Sequence, residues 1–264
     1  MGKISLLMML LLLLIGCGDD SDSAVEASDK LAVTEGTLTD ARDGHVYKTV
    51  TIAEGTEREQ TWMAENLNIE PKNGKSFCNE CEKYGRMYPW ATAMDSAAEY
   101  SDDAKGRGYK DSVDIDKKVR GICPEGWHLP RPSEYDVFHR LMSGNDDNVA
   151  TKMMSAEWKG TNEFGMNVLP AGNMQDQYML LSIEDALDSN YTHVERWLHK
   201  GESAFFWTSG TNTGISSNFA FCEYFADKTQ DGDDEGHVYD VERNVWRTDE
   251  CDKRDGLSVR CVKD

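Results

Sequence analysis

Six cysteines, Cys78, Cys81, Cys123, Cys222, Cys251 and Cys261, constrain this chain more than any other feature. In an oxidising compartment an even set of this kind is a disulfide framework. The compartment follows from a seventh cysteine. Cys17 ends the run Leu14-Ile15-Gly16-Cys17 directly after an apolar stretch from Ile4 to Ile15, with Lys3 ahead of it as a positive n-region. This is the pattern of a lipoprotein signal: residues 1–16 are removed, and the mature chain begins at a lipidated Cys17 held by several acyl chains, which anchor far better than one. A short transmembrane anchor is the alternative, but the stretch reaches only about 18 Å at 1.5 Å per residue, short of a hydrocarbon core of roughly 30 Å. The expected location is the outer membrane, on the cell surface or the periplasmic face. For such a chain paired cysteines are the default over zinc or catalytic thiols, although fifteen pairings are formally possible and spacing does not choose among them.

Loss of residues 1–16 removes one lysine and no acid, taking the formal charge from -20 to -21. A charge of that sign repels nucleic acid and anionic lipid, so neither is an expected partner, while divalent cations remain open. Residues 17–35 are rich in Asp, Ser and Ala and read as a lipidated acidic tether. Asp19, Asp20 and Asp22 either solvate it or form an acidic surface-export address. Residues 36–264 suffice for one large single-core domain and are short for two.

From Gly36 onward short strands alternate with turn signals. Thr37–Thr39 and Val46–Ile52 flank Asp43-Gly44, a candidate type I′ hairpin turn. The small-residue face of Ala91, Met94, Ala97 and Ala98 predicts a helix over Trp90–Tyr100. A second helix is expected from Ser133, with Ser133 and Asp136 at capping-box spacing and Val137, Phe138 and Leu141 as its apolar stripe. The C-terminal half reads as strands at Met166–Leu169, Phe205–Thr208, Asn218–Phe225, Val238–Trp246 and Ser258–Val262, with a helix over Asp185–Leu198. Two or three helices set into such strands predict an α+β domain with a mainly antiparallel sheet.

Two distant segments place a cysteine in a distinctive frame: Gly121-Ile122-Cys123-Pro124-Glu125-Gly126-Trp127-His128-Leu129-Pro130 and Ser258-Val259-Arg260-Cys261-Val262. With Gly36-Thr37-Leu38-Thr39-Asp40-Ala41-Arg42-Asp43-Gly44, Trp62-Met63-Ala64-Glu65-Asn66-Leu67-Asn68, Tyr84-Gly85-Arg86-Met87-Tyr88-Pro89-Trp90, Leu169-Pro170-Ala171-Gly172-Asn173 and Phe206-Trp207-Thr208-Ser209, the chain resembles the Fibrobacter succinogenes major paralogous domain over residues 36–264. That family is similar to the formylglycine-generating and C-type-lectin-like folds, whose helix-start phrase is echoed by Leu129-Pro130-Arg131-Pro132-Ser133-Glu134-Tyr135. The resemblance implies a bond from Cys123 to Cys261, and with it the pairs Cys222–Cys251 and Cys78–Cys81.

Each candidate chemistry has a plainer structural alternative. Cys78-Asn79-Glu80-Cys81 has redox spacing but lacks a thioredoxin-like frame, which favours a structural loop. Asp231, Asp233, Glu235 and Glu242 fall at positions 1, 3, 5 and 12 of an EF-hand-like Ca²⁺ loop, yet the flanks read as strands, and a solvated hairpin tip is the competing account. His128, beside Trp127, is expected to be packed and hydrogen-bonded. Trp207, Tyr224 and Trp246, with Phe205, Phe206, Phe219, Phe221 and Phe225, could stack on sugar faces if exposed, but their alternation gives no clean polar face and favours core. No nucleophile elbow, H-E-x-x-H helix or phosphate-binding glycine loop is present.

These readings lead to an envelope lipoprotein whose lectin-like domain binds an extracellular glycan or protein without catalysis and without an obligatory cofactor, Ca²⁺ excepted. The rivals are a carbohydrate-active or modifying enzyme on the same fold and a structural envelope protein. Convergent carboxylates in a cleft would favour the enzyme, and an aromatic face would favour binding.

Overall fold

The structure, a computed structural model, describes residues 33–143, 148–179, 192–211, 218–232 and 238–264. Strands β1 (Val33–Thr39) and β2 (Val46–Ile52) form an antiparallel pair, and β3 (Gln60–Met63) adds to β2. The next neighbours are β10 (Val262–Lys263), from the far end of the chain, and β4 (Trp127–His128), giving the order β1-β2-β3-β10-β4. A three-stranded sheet follows the order β7 (Ser203–Trp207), β8 (Phe219–Gly232), β9 (Val238–Asp252). A separate ribbon pairs β5 (Asn173–Met179) with β6 (Thr192–Leu198). The strand ladders are antiparallel throughout.

β2 explains why the core has two layers. Successive side chains of a strand point to opposite faces, and here Tyr47 enters one hydrophobic cluster while Val50 and Ile52 enter the other. β3 repeats the division with Met63 and Trp62, and β7 does so with Trp207 and Phe206. A main-chain bond from Trp207 N–H to Ser258 O, 3.0 Å, ties β7 to the segment leading into β10. Cys123 is bonded to Cys261, Cys222 to Cys251 and Cys78 to Cys81, the same pairs that the resemblance implies.

Several local expectations need correction. β1 starts at Val33, inside the segment read as tether, because Glu35 pairs with Val50 and Val33 packs on the second cluster. The β1–β2 connection is the six-residue stretch 40–45 rather than a two-residue type I′ turn: Gly44 has φ +79° but Asp43 does not share a positive φ, and Gly44 N–H donates to Asp40 O at 2.8 Å. Four α-helices are present among the described residues where two or three were expected, since three are single turns or little more: α1 (Cys81–Tyr84), α2 (Trp90–Ala93) and α4 (Val149–Met153). α2 stops short of the expected Tyr100 because Asp95 turns left-handed at φ +55° and its carboxylate accepts the amides of Glu99, Tyr100 and Ser101. α3 (Pro132–Ser143) has proline in its first turn, and the side chain reaching back is Glu134, which accepts the Arg131 amide at 2.8 Å, rather than a Ser133/Asp136 pair. Met166–Leu169 forms only an isolated bridge at Val168, because Asn167 takes φ +47°. The expected helix over Asp185–Leu198 is overturned where it is described: Thr192–Leu198 is β6, paired residue for residue with β5.

Candidate functional site

A cleft of about 660 Å³ opens between the β1–β2 connection, the segment after β3, the Cys78–Cys81 loop and the turn after α2. That is within the usual range for small-ligand sites. Its walls include Arg42, Asn68, Lys72, Arg86, Glu99 and Tyr100, together with the sulfur-bridged Cys78 and Cys81.

Each wall is set from below. Asp40 is completely buried, and Arg42 donates to it from Nε at 2.8 Å and from a terminal nitrogen at 2.6 Å. Burial pushes the Asp40 carboxyl up, but these bonds outweigh burial and hold it below the usual carboxylate range. The other terminal nitrogen of Arg42 donates to Ile122 O at 2.7 Å, so the guanidinium is fixed at both ends. In that position it lies 4.6 Å from the centroid of the Tyr100 ring. Tyr100 is in turn fixed by the three amide bonds to Asp95, and burial together with the adjacent Glu99 pushes its hydroxyl pKa up.

The opposite wall, Leu67 to Ile69, is held by two tyrosines. The Tyr88 hydroxyl donates to Ile69 O at 2.8 Å, and the Asn68 amide donates to the Tyr47 hydroxyl at 3.0 Å. The Asn68 side-chain Oδ1 is buried and has no hydrogen-bond partner among the described residues. An orphaned acceptor costs about 1–3 kcal/mol unless something else satisfies it, so its place in a cleft wall is chemically informative. Glu99 is not a free carboxylate: it accepts the amides of Lys72 and Asn73 at 3.2 and 2.7 Å.

A second cleft, about 510 Å³, lies by β3, β4, the start of α3 and the chain terminus. His128 forms its buried floor. Nδ1 faces Asp264 at 2.8 Å and Nε2 faces Glu134 at 2.9 Å, so both ring nitrogens are engaged. Burial pushes the Glu134 carboxyl up, but hydrogen bonds from His128 and Arg131 dominate and hold it at about 2. His128 is thus packed and hydrogen-bonded through both ring nitrogens.

The aromatic candidates do not converge. Trp207 is fully buried, with Nε1 donating to Tyr88 O at 2.7 Å, which removes it as a stacking surface. Tyr224 is half-buried, 4.9 Å from Phe205 and beneath the Arg247 guanidinium at 5.1 Å. Trp246 is on the other face of the sheet, stacked 5.1 Å from Phe225, with Nε1 donating to Glu223 at 2.7 Å. Trp207, Phe206 and Phe225 fill the two core layers, with Phe205 and Trp246 packed against them. In the acidic segment, Asp231 lies in β8 and Glu242 in β9, where Glu242 stands opposite Thr229 in the ladder; Asp233 and Glu235 lie outside the described residues, as does Cys17. The flanks are strands, so the EF-hand helices are absent among the described residues.

Arg42, Asn68 and Tyr100 were not singled out from sequence as a site. The available signal was Asp40-x-Arg42 ahead of Asp43-Gly44, a short-range ion pair that stiffens a loop.

The fold and cleft define an antiparallel α+β domain, braced by three disulfides, with a preformed polar site walled by one aromatic ring. A family model for the Fibrobacter succinogenes major domain matches residues 58–263. The chain belongs to that family. No curated protein and no solved structure matches it.

Proposed function

We propose that this is a cell-envelope lipoprotein, anchored through lipid on Cys17, whose lectin-like domain binds an extracellular glycan in the Arg42–Tyr100 cleft without catalysing a reaction on it. The observation that carries the reading is the unpartnered Asn68 Oδ1 in a wall shared with Tyr100. A sugar ring would offer a hydroxyl donor to the amide oxygen, which the Asn68 side chain must turn to expose, and an apolar C–H face to the part of Tyr100 left open by Arg42. Preorganisation supports the same reading, because Asp40, Asp95, Tyr47 and Tyr88 have already fixed the side chains and backbone that a ligand would otherwise have to order.

Binding is tested with the purified tag-free protein on an array of plant and microbial polysaccharides, with Ca²⁺ and with chelator. Saturable binding that is lost in Tyr100→Ala and Asn68→Ala is the expected result. Loss on chelation would bring in the acidic segment around Asp231 and Glu242 as a Ca²⁺ site. Absence of binding under both conditions would overturn the glycan reading.

A further inference from the structure

The β5–β6 ribbon carries a pattern unrelated to the cleft. Asp176 and Glu195 are directly opposite each other in the ladder, and His193 is two residues from Glu195, on the same face. Like charges placed opposite each other across two strands are destabilising unless a cation lies between them. Lys75 supplies one: its ammonium stands 2.7 Å from Asp176 and 2.5 Å from Glu195, marking a point on which both carboxylates converge. His193 Nε2 is in hydrogen-bond contact with the other oxygen of Asp176. One ligand atom from each of Asp176, His193 and Glu195 can be chosen so that all three lie within 4.8 Å of one another.

We infer that Asp176, His193 and Glu195 form a binding site for Zn²⁺, in which the metal takes the position that the Lys75 ammonium occupies. Tetrahedral zinc at about 2.0–2.2 Å from its ligands needs donor atoms about 3.3 Å apart. Reaching that spacing requires the three groups to close in from within 4.8 Å by side-chain rotation on an exposed ribbon. A nitrogen donor with two carboxylates selects zinc over Ca²⁺ and Mg²⁺, which prefer all-oxygen shells. Three protein ligands leave the fourth position to water, the arrangement of an accessible zinc site rather than a closed structural one. Lys75 can leave without a burial penalty, because 44% of its side chain is solvent-exposed. Its departure exchanges a single positive charge for a double one between two carboxylates, in a chain of formal charge -20.

The test is calorimetric titration of Zn²⁺ into the tag-free full chain after chelator treatment, beside His193→Ala and Lys75→Met, with melting temperatures recorded to show that each variant is folded. The expected result is saturable one-to-one binding, weakened about tenfold or more in His193→Ala and strengthened in Lys75→Met, where no ammonium competes. A 1 mM excess of Mg²⁺ should leave the zinc isotherm unchanged. Equal affinity in wild type and His193→Ala, unchanged or weaker binding in Lys75→Met, or no saturable binding to the folded wild type would each overturn the proposal. None of these outcomes bears on the glycan cleft, which shares no residue with this site.

Discussion

Arg260 and Asn66 meet at 2.8 Å, Nε to Oδ1, across 194 residues of chain. The guanidinium is fully buried, and burial pulls its pKa down to about 10. It has no carboxylate partner in its hydrogen bonds; besides Asn66 it gathers the main-chain oxygens of Met166 and Asn167. Those carbonyls belong to the segment where a regular strand fails to form, so Arg260 takes the place of the missing ladder. Arg260→Met keeps much of the volume and removes every donor, leaving two buried acceptors and one partly buried acceptor unpaired. Destabilisation of about 3 kcal/mol or more is expected in urea unfolding. A loss below about 1 kcal/mol would show that the segment finds other donors.

The three disulfides should differ sharply in what they contribute. In the chain-entropy model, closing the 138-residue separation of Cys123–Cys261 stabilises by about 5 kcal/mol, and closing the three-residue separation of Cys78–Cys81 by less than about 2. Cys123→Ala/Cys261→Ala should therefore lower the melting temperature far more than Cys78→Ala/Cys81→Ala. The second variant should instead weaken the proposed glycan binding, because both cysteines line the cleft. Equal shifts in melting temperature would contradict this division.

Glu223 sets a pH dependence of stability. Its buried carboxyl accepts Trp246 Nε1 and the Thr248 hydroxyl, but burial outweighs those bonds and, with Asp136 nearby, raises its pKa from 4.5 to about 7. Between those values the folded state holds a proton that the unfolded state has released. The stabilisation is complete below about pH 4.5 and is lost as pH rises through about 7. Glu223→Gln should remove this decline and exceed wild type above pH 7, by about 3 kcal/mol. Parallel stability profiles for the two proteins from pH 5 to 8 would show that Glu223 titrates normally.

Asp95 acts on the cleft from a distance. It holds Tyr100 through main-chain amides rather than by touching a ligand, so Asp95→Ala should weaken polysaccharide binding severalfold and raise amide exchange at Glu99, Tyr100 and Ser101. Unchanged exchange at those three residues would show that the turn is held by other contacts.

Much of the architecture was legible because it rests on local pattern. The β1–β2 pair, β7 through β9 and α3 all follow from alternation or helical spacing near the expected positions. What escaped depends on partners remote in sequence. Thr192–Leu198 has mixed composition and becomes a strand only because Asn173–Met179 pairs with it. Trp90–Tyr100 has a plausible helical face, but nothing in its spacing reveals that Asp95 prefers to collect three amides. The cleft was invisible for the same reason: Asn68 matters through Tyr47, 21 residues away, and Arg42 through Ile122, 80 residues away.

The position of β10 has a consequence for how the molecule is made. Val262 pairs with Trp62 on one side and His128 on the other, and its neighbour Cys261 is bonded to Cys123. Until residue 262 has left the ribosome, β3 and β4 face an empty slot and the longest covalent loop stays open. Completion of the five-stranded sheet and of its longest covalent loop therefore waits on residues 261–263, whereas the β1–β2 and β8–β9 pairs need only segments close together in the chain.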